Sequence, residues 1–96
     1  MDDHSILDTF QLLLLEHIAM CRLVMGNKSL AIKETVEALQ ICYRDSGLQI
    51  RHKPVIHALL GLYAMSMNQM TEAESQLATV LRVGLLYSLM QNNHET

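Results

Sequence analysis

The stretch Leu60-Gly61-Leu62-Tyr63-Ala64-Met65-Ser66-Met67-Asn68-Gln69-Met70-Thr71-Glu72-Ala73-Glu74-Ser75-Gln76-Leu77-Ala78-Thr79-Val80 decides the fold of this chain. Gly61, Ala64 and Ala73 are small where two antiparallel helices must approach closely, and Leu60, Leu77 and Val80 supply the apolar partners. Thr71-Glu72-Ala73-Glu74 has the form of a capping box, with Thr71 capping the Glu74 amide while Glu74 reaches back. The run is therefore expected to be a helix, a short turn and a second helix starting at Thr71. Such pairs stack into binding surfaces and rarely carry catalytic groups.

Upstream, Pro54 suits the first position of the third helix, where its missing N–H costs nothing. Ile56, Leu59, Leu60, Tyr63 and Met67 make that helix's expected buried stripe, and Leu48 to Lys53 is expected to be a loose connection. The fourth helix should bury Ala73, Leu77, Val80 and Leu81. Towards the N-terminus, a first helix is expected from a cap at Asp8 to a left-handed stop at Gly26. A second should run from Ser29 to Ser46, ended by Gly47, with Ile32, Val36, Leu39 and Tyr43 as its stripe. Connections this short place consecutive helices antiparallel.

The two pairs are a repeat. Gly26-Asn27-Lys28-Ser29-Leu30-Ala31 and Asn68-Gln69-Met70-Thr71-Glu72-Ala73 occupy the same place, which sets Ala19 opposite Gly61, Ala31 opposite Ala73 and Ala38 opposite Val80. The spacing is that of a tetratricopeptide (TPR) helix pair, lengthened from about 34 residues to 42 by the Leu48–Lys53 segment. The expected fold is all-α: two antiparallel TPR-like helix pairs, four helices in all, a fragment of an α-solenoid. Residues 1–9 are a lead-in, 10–47 and 54–82 the two pairs, and 83–96 a divergent, partly helical extension.

Composition narrows the function classes. The 96 residues are half hydrophobic yet contain one Phe, three Tyr and no Trp, and the net charge is −3 with dispersed basic residues. That is no electrostatic footprint for nucleic acid, so any link to DNA runs through a partner. The start, Met1-Asp2-Asp3-His4, is acidic where a signal peptide would be basic, and Asp2, Asp3 and Asp8 read as a solvated, frayed terminus. Phe10 to Met25 is the most apolar stretch but contains Glu16, His17 and Arg22 and falls short of the roughly 20 residues a bilayer needs. The chain reads as soluble and intracellular.

Chemistry-bearing constellations are sparse. His17 and Cys21 stand at i, i+4, but a structural zinc site wants four ligands and no second pair is present. Cys21 and Cys42 read as reduced structural thiols, and His52 and His57 as solvated or capping side chains. No serine-histidine-acid set, phosphate loop or paired-carboxylate motif is recognisable. No catalytic residue, metal or cofactor is assigned. The useful constellation is the face of the first helix in each pair, which lines the concave groove in TPR arrays. Counted from the repeat, the groove positions are Leu13, Glu16, Met20, Leu23 and Val24 in the first unit and Val55, Ala58, Leu62, Met65 and Ser66 in the second. Repeat packing falls to Ala19, Ala31, Ala38, Leu60, Gly61, Ala64, Ala73, Leu77 and Val80. The groove is mostly apolar and Met-rich, suited to irregular ligands, and lacks the basic cluster that clamps a C-terminal carboxylate. With two pairs only, burial of the same residues against each other or a second copy is the competing reading.

Phe10-Gln11-Leu12-Leu13-Leu14-Leu15-Glu16-His17-Ile18-Ala19-Met20-Cys21-Arg22-Leu23-Val24, His57-Ala58-Leu59-Leu60-Gly61-Leu62-Tyr63 and Ala73-Glu74-Ser75-Gln76-Leu77 through Leu81-Arg82 resemble the TPR subunit family of the cohesin loader, the Mau/Scc-type chromatid cohesion factors. The resemblance covers Phe10 to Arg82; the first nine residues and the tail from Val83 depart from it, as in a short, truncated form. It implies a TPR superhelix wrapping the N-terminal segment of the large loader subunit, the Nipped-B-like adherin. It further implies a nuclear, non-catalytic role in cohesin loading onto chromatin and sister-chromatid cohesion. A generic TPR adaptor with another peptide partner is the alternative. A small helical metalloprotein using His17, His52 and His57 is a second alternative, and self-association through bare apolar faces is also expected.

Overall fold

The computed structural model describes residues 3–95. Its helices are α1 (Asp3–Val24), α2 (Lys28–Arg44), α3 (Gln49–Ser66) and α4 (Met70–Glu95), with a 3-10 turn at Ser46–Leu48, and no strand occurs among the described residues. The fold is all-α and built from two helical hairpins. Its extents are 43 × 32 × 19 Å. The short dimension is about two helix diameters; α3 packs on α4, α2 and α1, and α1 packs on α2.

The hairpin turns are the same backbone structure 42 residues apart. Asn27 N–H donates to the Arg22 carbonyl (2.8 Å) and Gln69 N–H to Ala64 (2.9 Å), while Gly26 N–H donates to Leu23 (3.1 Å) and Asn68 N–H to Met65 (3.0 Å). This pair of bonds is a Schellman motif, which requires a left-handed residue after the helix. Gly26 (φ 82°) and Asn68 (φ 59°) provide it. The next helix opens alike in each case, by Ala31 N–H to Asn27 and Ala73 N–H to Gln69. Asn27 also caps α2, its side chain accepting from Leu30 N–H at 3.5 Å.

Several element boundaries differ from expectation. Helix α1 already runs at Asp3, so Asp8 is inside the helix and accepts from Arg44 Nη2 at 2.9 Å instead of capping; Met1 and Asp2 lie outside the described residues. Helix α4 opens at Met70, one residue before Thr71, so the expected capping box does not form there. The expected loop is instead the 3-10 turn running directly into α3, which leaves Pro54 inside that helix. Pro54 costs one helical bond, and the burial of His52 and Ile56 on either side of it offsets that loss. The connection is stitched by Asp45 Oδ1 accepting from Gly47 N–H (3.2 Å) and by Gln49 Nε2 donating to the Cys42 carbonyl (3.4 Å).

The core is a cluster of Leu12, Ala38, Ile41, Cys42 and Ile56 where α3 seats on α1 and α2. Helix α2 turns a different face inward from the one expected: Ala31, Thr35, Ala38, Ile41 and Cys42 are buried, while Val36 and Tyr43 are 41% and 61% exposed. Residues 31, 35, 38 and 42 are the expected stripe displaced by one position. Helices sandwiched at close approach need small residues between their axes, so alanine, threonine and cysteine take the seam and the larger side chains are pushed to its edge. The buried Thr35 hydroxyl is satisfied by donating to the Ala31 carbonyl at 2.7 Å.

Of the repeat-packing residues, Ala19, Ala31, Ala38, Gly61, Ala64 and Ala73 are buried, Leu60 and Val80 are half-buried, and Leu77 is 38% exposed. A Cβ placed on Gly61 would lie 3.2 Å from Cγ and Cδ2 of Leu77. The close approach of α3 to α4 is thus Gly61 against Leu77, one turn beyond Ala73. Leu81, expected in the α4 stripe, is 68% exposed, and Met67, expected in the α3 stripe, caps the end of that helix and is 44% exposed. Along the second half of α4, Leu85, Leu86, Leu89 and Met90 are all more than half exposed.

Candidate protein-binding groove

Helices α1 and α3 touch, and a groove of about 380 Å³ lies between them. Its walls are Leu13, Glu16, His17 and Met20 from α1 and Val55 and Leu59 from α3. Leu13, Met20 and Val55 are each a little over 40% exposed, so they present apolar surface to an incoming chain while resting on the protein.

The α1 wall is fixed by polar contacts. His52 Nδ1 donates to Glu16 Oε2 at 2.9 Å, and both side chains are buried. This pair ties α1 to α3 across 36 residues of sequence. Glu16 therefore contributes the groove's base rather than an exposed carboxylate. His52, expected to be solvated or capping, is a buried partner because α3 starts early enough to carry it inward. His17 Nδ1 donates to the Leu13 carbonyl at 2.7 Å, which holds the ring along the helix beside the groove.

The remaining expected groove residues sit apart from this cavity. Leu62 and Met65 follow Val55 along α3 and are 39% and 44% exposed. Leu23, Ala58 and Ser66 are half-buried, and Val24 is 80% exposed at the end of α1. Ser66 is occupied twice: its hydroxyl donates to the Tyr63 carbonyl (2.6 Å) and its carbonyl accepts from Lys28 Nζ (2.8 Å). Sequence reasoning missed Leu59 and His17 as groove walls. The i, i+4 spacing from Leu13 to His17 is the available signal for His17, a residue weighed above for metal binding and set aside rather than placed on the groove.

A larger cavity of about 750 Å³ lies on the side of the α3–α4 turn, where Ile32, Tyr63, Asn68, Thr71, Glu72 and Gln76 are among its walls. Beside it His57, expected to be solvated, is half-buried: its Nδ1 donates to Gln76 Oε1 (2.6 Å), and Gln76 Nε2 donates to Glu72 Oε1 (2.9 Å). Among the described residues, no group of three or more His, Cys, Asp or Glu side chains is placed to hold a metal ion. Cys21 is exposed and Cys42 buried. Burial raises the Cys42 thiol above its ordinary pKa, and the negative charges of Glu16 and Asp45 add to that while Lys53 opposes it. No helix among the described residues is long and apolar enough to cross a membrane.

The family model described as "Cohesin loading factor" matches residues 1–96. The chain belongs to the cohesin loading factor family. The match includes the first residues and the tail beyond Arg82, which the resemblance read from motifs had left out. The chain is similar to the "MAU2 chromatid cohesion factor homolog" of Aedes aegypti, 53% identical over 77 residues, and to those of Drosophila erecta and Drosophila melanogaster, both 47% identical over 77 residues. Each alignment covers 78% of this chain and 12% of the relative. This member of the cohesin loading factor family thus spans about an eighth of the length of the curated relatives it matches. No solved structure matches it significantly.

Proposed function

We propose that this chain is a non-catalytic protein-binding scaffold of cohesin loading. In this reading the α1–α3 groove takes an extended, apolar-rich segment from the N-terminal region of the large loader subunit, the Nipped-B-like adherin. The observation that carries it is the groove itself, walled by Leu13, Met20 and Val55, with the buried Glu16 at its base held in place by His52. Leu62 and Met65 extend the apolar track along α3. Methionine adapts its shape to a bound chain better than branched side chains do, and Met20 and Met65 are both accessible. Family membership and the relatives' name as chromatid cohesion factors support a nuclear role in cohesin loading and sister-chromatid cohesion, with chromatin reached through partners.

Titration of a fluorescent peptide from the adherin's N-terminal segment with the purified chain tests the reading. Saturable binding is expected. The double substitution Leu13→Glu, Val55→Glu, on the two walls of the groove, should weaken it by about tenfold or more, as charges are forced into an apolar contact, with helix content by circular dichroism unchanged. Failure of the unsubstituted chain to bind, or equal binding by the variant, overturns the groove assignment.

A further inference from the structure

Helix α3 packs on both α2 and α4, while α2 and α4 themselves scarcely touch. The gap they leave beside α3 is the cavity of about 750 Å³. Ile32 lines it from α2, Leu60 and Tyr63 from α3, and Thr71, Glu72 and Gln76 from α4. Its walls lie between residues 32 and 76, so the cavity belongs to the junction of the two hairpins and not to an end of the stack. It shares no lining residue with the α1–α3 groove. Among the described residues, Glu72 is its one charged wall. That carboxylate is held in place: Gln76 Nε2 donates to Glu72 Oε1 (2.9 Å), and His57 Nδ1 donates to Gln76 Oε1 (2.6 Å). A carboxylate only accepts, so it fixes which end of the Gln76 amide faces it, and the other end of the amide fixes the proton on His57 Nδ1. Glu72 Oε2 has no partner among the described residues. Lys28, at the start of α2, is engaged by the Ser66 carbonyl at 2.8 Å and does not neutralise it.

We propose that this cavity receives an arginine side chain carried on an extended segment of a partner protein. A fixed carboxylate with one open oxygen, sharing a cavity with an aromatic ring and two aliphatic side chains, complements a planar cation on an apolar stem. The stem lies along Ile32 and Leu60, the guanidinium stacks on the Tyr63 ring, and its N–H groups donate to Glu72 Oε2. Arginine suits these walls better than lysine. Its flat, weakly hydrated cation stacks on aromatic faces and donates from several N–H groups at once, whereas a lysine ammonium keeps its water and acts as a point charge. The flanking peptide groups of the segment meet Asn68, Gln69 and Thr71, which line the same space. The site takes a basic residue and the α1–α3 groove an apolar one, so the two assignments stand or fall separately.

Titration of the isotope-labelled full chain with the capped tripeptide acetyl-Gly-Arg-Gly-amide, followed by NMR, tests this. Saturable shifts centred on the amides of Thr71, Glu72 and Gln76 are expected. The same peptide with citrulline for arginine keeps the shape but loses the charge, and should bind about five- to tenfold more weakly, the loss of a charge-assisted hydrogen bond. A lysine peptide should also bind more weakly than the arginine one. Glu72→Gln keeps an acceptor for Gln76 and therefore the fold, and should bind the arginine and citrulline peptides alike. Glu74→Gln removes the same charge outside the cavity and should bind the arginine peptide as the parent does. Absence of saturable shifts, or equal binding of arginine and citrulline by the parent, overturns the proposal. So does an arginine preference that survives Glu72→Gln, a loss in Glu74→Gln equal to that in Glu72→Gln, or a lysine peptide that binds as tightly as arginine.

Discussion

The two hairpins share one backbone and differ in what surrounds it. Their turns make the same hydrogen bonds at a 42-residue offset, although one uses Gly26 and Asn27 and the other Asn68 and Gln69. Yet the first hairpin is closed by α3, which covers its seam and builds the core, while the second ends in α4 with Leu81, Leu85, Leu86, Leu89 and Met90 bare. The difference teaches that the hairpin is the local unit and the junction between hairpins is the stabilising one. It also shows where close approach is tuned. The first hairpin sets Ala19 where the second has Gly61, and both are buried.

The sharpest way to break the comparison is Gly61→Leu. Its side chain would drive into Leu77 from 3.2 Å, and overpacking of this kind costs roughly 1–3 kcal/mol. Urea denaturation should show that loss, whereas Ser75→Leu on the exposed side of α4 should leave stability nearly unchanged. Equal effects would show that the α3–α4 approach is not centred on Gly61.

A second substitution tests the junction. Glu16→Ala leaves His52 buried without its acceptor and should cost about 1–2 kcal/mol, the penalty for an unmet buried polar group. The repeat-equivalent change in the second hairpin, Ala58→Glu, removes no such pair, and its carboxylate can reach solvent from a half-buried position. A smaller loss there, measured by the same denaturation, supports the pair as specific to the internal junction. A loss at Ala58 equal to that at Glu16 would remove the distinction.

The smallest effects concern the turns. Gly26→Ala forces a side chain into a left-handed backbone (φ 82°) and should destabilise by about 1 kcal/mol. Asn68→Gly relieves the same strain in the other turn and should be neutral or stabilising by a few tenths of a kcal/mol, roughly the advantage of glycine over asparagine there. Shifts of the same sign at both sites would mean that the turns are not equivalent under load.

The hairpins, their turns and the small-residue seams were legible in the sequence because each rests on residues close together in the chain. The repeat register predicted Ala31, Ala38 and Ala73 as packing residues, and all are buried. Hydrophobic periodicity misread α2, since it ranks residues by size and polarity while the seam selects for thinness. Val36 and Tyr43 looked like core and are exposed, while Thr35, outside the expected stripe, is buried. Which of the expected groove residues share one cavity, Leu13, Glu16, Met20 and Val55, was not legible in the sequence, because it depends on how α1 lies against α3.

By itself the sequence determined an all-α repeat of helix pairs and membership in a family, because left-handed turn residues, small-residue spacing and motif identity are local properties. The tertiary structure decided what these could not reach. It carried α3 back to Gln49 so that Pro54 falls inside a helix, since docking of His52 and Ile56 outweighs one lost hydrogen bond. It joined Glu16 to His52 across 36 residues, a pairing that depends on how two helices lie side by side and on nothing in either helix alone.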